Sequence, residues 1–139
     1  MKIITINQLK FAVGFAILTI LFRYGLSNIL NIEYFVYVWL LAILYFTTLF
    51  IVGWVFGKKD YLSFPFYDVG FRFHLSSYIL YITISELWFL FEMQSRYENI
   101  KTVHLTALIW GIFLVIHFFF FLYTRKNAIK GINKSDIFE

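Results

Sequence analysis

The sequence predicts an all-α, polytopic membrane protein with four transmembrane helices arranged as two hairpins. Three observations lead there. Four apolar stretches, about residues 9–30, 34–56, 71–91 and 105–123, occupy most of the 139-residue chain. Each comes close to the ~20 residues that a helix needs to cross a bilayer core. Hydrophobic residues make up 61% of the chain and charged residues 14%, with a mean hydropathy of +0.77, which leaves no material for a separate soluble core. One membrane domain over residues 1–139 is the expectation.

The first stretch follows Lys10 and ends at Ser27 to Asn31, a run of turn formers. No small-residue cleavage pattern follows it, so it reads as an uncleaved helix and not as a secretory signal. Ala12, Ala16, Thr19 and Arg23 fall on one of its faces, a ridge of small residues that lets a neighbouring helix approach closely. The second stretch has no charge between Glu33 and Lys58. The third begins after Pro65 and Asp68, and Asp68 is placed to cap it. The fourth follows Gln94 to Thr102, with Thr102 as its expected cap.

Orientation follows from the basic residues, because loops facing the cytoplasm collect Lys and Arg near span ends. Lys2, Lys10, Lys58, Lys59, Arg72, Arg125, Lys126, Lys130 and Lys134 lie on one side, against Arg23, Arg96 and Lys101 on the other. Both termini are therefore expected in the cytoplasm, with residues 125–139 as a basic cytoplasmic tail. The 19 Phe and 10 Tyr beside a single Pro suggest an AT-rich gene and a bacterial inner, or cytoplasmic, membrane. With no Cys in the chain, disulfides, thiolate metal sites and Cys nucleophiles are excluded.

Ionisable groups inside apolar spans are where chemistry concentrates, since a charge near the bilayer centre costs about 2.5–3.5 kcal/mol on insertion scales. Arg23 and Glu86 lie at similar depth and are expected to pair; the alternative is that Arg23 reaches the headgroups and Glu86 is neutral or meets water. The third stretch carries a polar stripe of His74, Ser77, Tyr78, Tyr81, Ser85, Trp88 and Glu92 at helical spacing, which should face protein. His117 of the fourth stretch reaches the depth of Ser77 and Tyr78, so a hydrogen bond to one of them is expected. A metal, haem or proton-relay role for the two histidines is the sharper alternative. A metal site wants at least three protein ligands, and Asp68 is the one further candidate near His74; Phe118 to Phe121 crowd His117 against a haem, so neither metal nor cofactor is expected.

Two short patterns carry a family resemblance. Phe71, His74, Leu75 and Tyr78 form F-x-x-H-L-x-x-Y, and Trp110, Gly111, Leu114 and His117 form W-G-x-x-L-x-x-H. Residues 69–124 thereby resemble the bacterial "2TM domain" family, a two-helix membrane module that occurs alone or attached to signalling proteins. The resemblance implies signalling or anchoring in the membrane and brings no catalytic residue with it.

Enzyme motifs such as a nucleophile elbow, a phosphate-binding loop or H-E-x-x-H are absent, so a non-enzymatic role is expected. The expectation is a sensor or anchor subunit that forms homo-oligomers, most simply tetramers, and recruits or regulates a cytoplasmic protein. Its docking surface would combine Lys58, Lys59, Phe64 and Phe66 of the middle loop with Lys130, Ile132, Lys134 and Phe138 of the tail, apolar anchors in a basic frame. The same residues also suit a lipid surface, whereas nucleic acid is not an expected partner. Two other classes stay open: a pore-forming or membrane-disrupting effector of stress or phage defence, and a small transporter whose start, Gln8-Leu9-Lys10-Phe11, resembles the GtrA-like type.

Overall fold

The computed structural model describes residues 4–63 and 68–130, and side chains within 4–61 and 69–123. All regular structure in these residues is helical: α1 (Ile6–Asn31), α2 (Val36–Ser63), α3 (Asp68–Leu90) and α4 (Ile100–Lys130). At 1.5 Å per residue even α3, with 23 residues, is about 35 Å long. Three helices are both long and apolar enough to cross a membrane: Ile6–Asn31, Val36–Tyr61 and Ile100–Tyr123. The third expected span has the length without the same apolarity, because Asp68, Arg72, His74 and Glu86 are spread along α3.

The helices extend beyond the apolar stretches because backbone hydrogen bonding continues through polar residues that remain good helix formers. Thus α2 runs on through Lys58, Lys59 and Asp60, and α4 through Arg125 and Lys126. Thr5 caps α1, its hydroxyl accepting from the Gln8 amide at 2.9 Å. Asp68 is the first residue of α3. The cap of α4 is Asn99 and not Thr102: the Asn99 carboxamide oxygen accepts from the Lys101 amide at 2.9 Å, which leaves Thr102 inside the first turn.

Both α1 and α3 end in a reversed turn closed by a pair of backbone bonds. Glu33 N–H donates to Leu30 and Tyr34 N–H to Ile29; Glu92 N–H donates to Phe89 and Met93 N–H to Trp88. The pivots, Glu33 and Glu92, sit in the left-handed region at φ 63° and 55°, where glycine is the usual occupant.

Packing joins α1 to α2, α3 to α4, and α1 to α3, with a lighter contact between α2 and α3. Among the described residues the backbone of α4 therefore comes close to α3 alone, with Trp110 packed against the cluster of Phe11, Phe15 and Phe73. The buried face of α1 is Gln8, Phe11, Phe15, Thr19, Arg23 and Ser27, so the expected small-residue ridge is rotated: Phe11 and Phe15 turn inward, and Ala12 and Ala16 lie at its edge. Phe11 packs on Phe15 and on Phe73 of α3, with ring centroids 5.7 and 4.6 Å apart. Close approach of α1 to α2 depends on Gly25, where a Cβ would come within 3.3 Å of the Leu41 side chain. Thr19, wholly buried, donates to the Phe15 carbonyl and meets the Tyr45 hydroxyl at 2.9 Å.

Candidate functional site

Arg23 lies on the inward face of α1, two turns before its end, so its charge cannot reach bulk water along its own helix. Its partner comes from the α3–α4 connection, residues 91–99, which folds back over the end of α1. Arg23 Nη1 lies 3.0 Å from Glu98 Oε1, and the two side chains are only 5% and 6% exposed. The other carboxylate oxygen accepts from the Ser27 hydroxyl at 2.5 Å and from the Ser95 amide at 2.8 Å. Trp88 of α3 donates its indole N–H to the Ser27 hydroxyl at 3.0 Å. The Arg23 guanidinium also stands over the Phe89 ring, 5.4 Å from its centre.

This arrangement corrects the expected pairing of Arg23 with Glu86. On α3 the residues turned toward α1 are Ser85 and Trp88, both buried. Glu86, one residue further round the helix, is rotated away by about 100° and meets His104 of α4, with Oε1 3.0 Å from Nε2. That pair remains 39% and 60% exposed on the α3–α4 edge.

A second clasp closes the same end of the molecule. Glu33 accepts from the Tyr97 hydroxyl at 2.7 Å and from the Arg96 guanidinium, which stacks on the Tyr97 ring. The Tyr97 hydrogen bond, and next the Arg96 charge, hold the Glu33 carboxyl below its ordinary range. Arg96 is pushed up in turn, first by its hydrogen bond to Tyr97. At the opposite end buried Asp60 of α2 accepts from Thr5 Oγ1 at 2.5 Å and Asn7 Nδ2 at 2.9 Å, while Gln8 donates to Ser76 of α3 at 3.0 Å. An acidic group at the start of α1 is favoured by the helix dipole.

The histidines meet in the α3–α4 interface. His74 Nδ1 and His117 Nδ1 are 3.0 Å apart, and Trp110 Nε1 is 2.5 Å from His74 Nε2. An indole N–H only donates, so in neutral His74 the proton sits on Nδ1 and is donated to His117. Both nitrogens of His74 are thereby used, and among the described residues no three metal-ligating side chains gather. His117 bonds His74 and not Ser77 or Tyr78. The Ser77 hydroxyl turns back to the Phe73 carbonyl at 2.9 Å, and the Tyr78 hydroxyl donates to the Ala107 carbonyl at 3.3 Å. Phe71 packs edge-on against His117, and Tyr78 and Tyr81 pack on Trp110. A Cβ on Gly111 would lie 3.3 Å from the Tyr78 hydroxyl, so the glycine permits the approach. Phe71, His74, Tyr78, Trp110, Gly111 and His117, singled out as sequence patterns, are thus brought together as one helix contact.

Two of the residues expected to dock a partner, Lys58 and Lys59, are exposed on α2, with Lys59 Nζ 5.8 Å from the Phe56 ring centre. Lys130 is the last residue of α4, and its side chain lies outside the described ones. Phe64, Phe66, Ile132, Lys134 and Phe138 lie outside the described residues altogether. Glu98, Ser27 and Ser95 were missed from sequence. A signal existed in Ser27, which continues the Thr19 and Arg23 face by one turn, but none marks a loop glutamate as the partner.

A helical bundle with three helices of spanning length and apolarity is the build of an integral membrane protein. No family model matches the chain, and neither the curated proteins nor the solved structures offer a match.

Proposed function

We propose that the chain is a four-span subunit of the bacterial inner membrane, with both termini cytoplasmic, that oligomerises and anchors or regulates a cytoplasmic protein without catalysing a reaction. The observation that carries the reading is the one-sided attachment of α4. Its backbone comes close to α3 and to no other described helix, Trp110 alone reaching the Phe11, Phe15 and Phe73 cluster, while Leu105, Leu108, Ile112, Phe113, Val115 and Phe119 stand exposed along its length. An apolar surface of that length belongs in lipid or against another helix. The half-exposed Glu86–His104 pair beside it favours a helix, because lipid tails offer ionisable groups no hydrogen bonds. The 2TM-like α3–α4 hairpin would then be the assembling and signalling element, and α3 the fourth span, its polar groups turned toward α1 and α4.

Phe113→Cys in this Cys-free chain tests the assembly. Oxidation should link copies through α4, and native mass spectrometry in mild detergent should show a homo-oligomer, with a tetramer favoured. A monomer at every protein concentration rejects the proposal. Truncation after Lys126 should keep insertion and oligomer size but lose a co-purifying cytosolic protein. Steady ionic current from reconstituted liposomes would instead favour the pore alternative.

A further inference from the structure

A groove opens between α2 and α4, whose backbones do not approach each other among the described residues. Its cavity, about 500 Å³, has Phe11, Phe15 and Phe73 as its floor, Phe50 and Trp54 on the α2 side and Trp110 on the α4 side. No charged residue lines it. The polar atoms of His74, Ser77 and Trp110 in the lining already bond within the protein, so the space asks for no hydrogen bond and suits hydrocarbon.

Two glycines deepen the groove. Gly53 and Gly57 stand about one turn apart in the α2 lining, where glycine weakens a helix relative to alanine. Close packing does not account for them: a Cβ at Gly53 would make an ordinary 3.8 Å contact with the Phe11 ring, and one at Gly57 would meet nothing within 4 Å. Gly25 and Gly111, by contrast, face side chains at 3.3 Å.

We propose that the groove holds one acyl chain of an anionic phospholipid, with the headgroup at its Lys58 end. Size selects the acyl chain. From Phe46 to Gly57 the lining runs about 16 Å along α2 at 1.5 Å per residue, so the mean cross-section is about 30 Å², less than half that of a helix roughly 10 Å across. Charge selects the headgroup. Exposed Lys58 follows Trp54 by one turn, just past the end of the lining, and a lysine near the headgroup layer attracts anionic lipid. The neighbouring carboxylate, Asp60, is turned away from it and buried against Thr5 and Asn7. Bulk lipid tails are as apolar as the groove, so what distinguishes the bound lipid is ring contact on several sides together with that charge. The proposal rests on the protein lying in a bilayer, and on neither its orientation nor its partner.

The test uses the full chain purified in mild non-ionic detergent, with retained lipid read by native mass spectrometry and identified after organic extraction. One phosphatidylglycerol or other anionic phospholipid per chain is expected. Gly57→Phe puts a ring into the open space, and Gly53→Leu fills the groove one turn away should the first variant fail to fold. Each should lower lipid retention at least about tenfold, while the thermal midpoint holds or rises because a glycine has left a helix. Lys58→Gln should keep the groove but reduce the preference for phosphatidylglycerol over phosphatidylcholine about fivefold. In bilayers, phosphatidylglycerol with brominated acyl chains should quench Trp54 and Trp110 in wild type at a lower mole fraction than brominated phosphatidylcholine does. Absence of a retained phospholipid, retention undiminished in folded Gly57→Phe or Gly53→Leu, equal quenching by the two lipids, or recovery of a different apolar molecule overturns the proposal. Loss of the oligomer with the lipid still bound in those variants also overturns it, and assigns the groove to a second copy.

Discussion

Arg23 shows how a single residue can be legible as a problem without its solution being legible. Its place in an apolar run announces an expensive charge, and the helix period puts it on the face of Thr19 and Ser27. The period could not supply Glu98, because the 91–99 connection has no repeat from which to read direction. Depth alone pointed to Glu86, and rotation about α3 decided otherwise. Glu98→Ala should therefore lower stability by about 3–5 kcal/mol, since it strands a buried guanidinium. Glu86→Gln should change it by less than about 1 kcal/mol, the range of exposed pairs. Denaturant unfolding of both variants in detergent distinguishes the two assignments. The Glu33 clasp makes a pH prediction of definite sign. A carboxyl held below its ordinary range contributes stability above its unfolded pKa and loses it as pH falls through the folded value. Contact between the α1–α2 and α3–α4 connections should persist at neutral pH and open in acid below the ordinary glutamate range, readable from a spin-label distance between Asn28→Cys and Lys101→Cys.

At the scale of elements the hydropathy pattern was most of the answer for α1, α2 and α4, whose apolar runs are long and weakly interrupted. Their ends were less legible: α2 and α4 overrun the apolar stretches, and Asn99 starts α4 where Thr102 was expected. The polar stripe of α3 was legible as an inward face as far as Trp88, whereas Glu92 falls beyond the helix in an exposed turn, and His74 and His117 could be paired only once the crossing of α3 and α4 was known. Removing His74 leaves the Trp110 N–H and His117 without their partner. His74→Ala should cost about 1–3 kcal/mol and shift Trp110 emission, with α1 and α2 undisturbed. An equal loss of protection in all four helices by hydrogen exchange would contradict so local a role. Gly111→Leu, which collides with Tyr78, should weaken the same hairpin more.

For the whole molecule, two connections gather at one end and the start of α1 is tied to Asp60 at the other, the up-and-down order that alternating apolar and polar segments predict. In intact cells Asn28→Cys should react with an impermeant thiol reagent while Lys58→Cys is protected. The reverse labelling would invert the orientation read from the basic residues. The close approach of the α4 backbone to a single neighbour bears also on cooperativity. A chain whose first three helices approach one another closely, while the backbone of the fourth comes close to α3 alone, need not come apart in one step. Heated in detergent, it should lose exchange protection first along the C-terminal end of α4, beyond the contact of Phe121 with Phe71, while α1 keeps its slowest amides until the midpoint. Two transitions separated in temperature are then the expected trace. Coalescence of those transitions at higher protein concentration would show that another copy supplies the support that the lone chain withholds from its last helix.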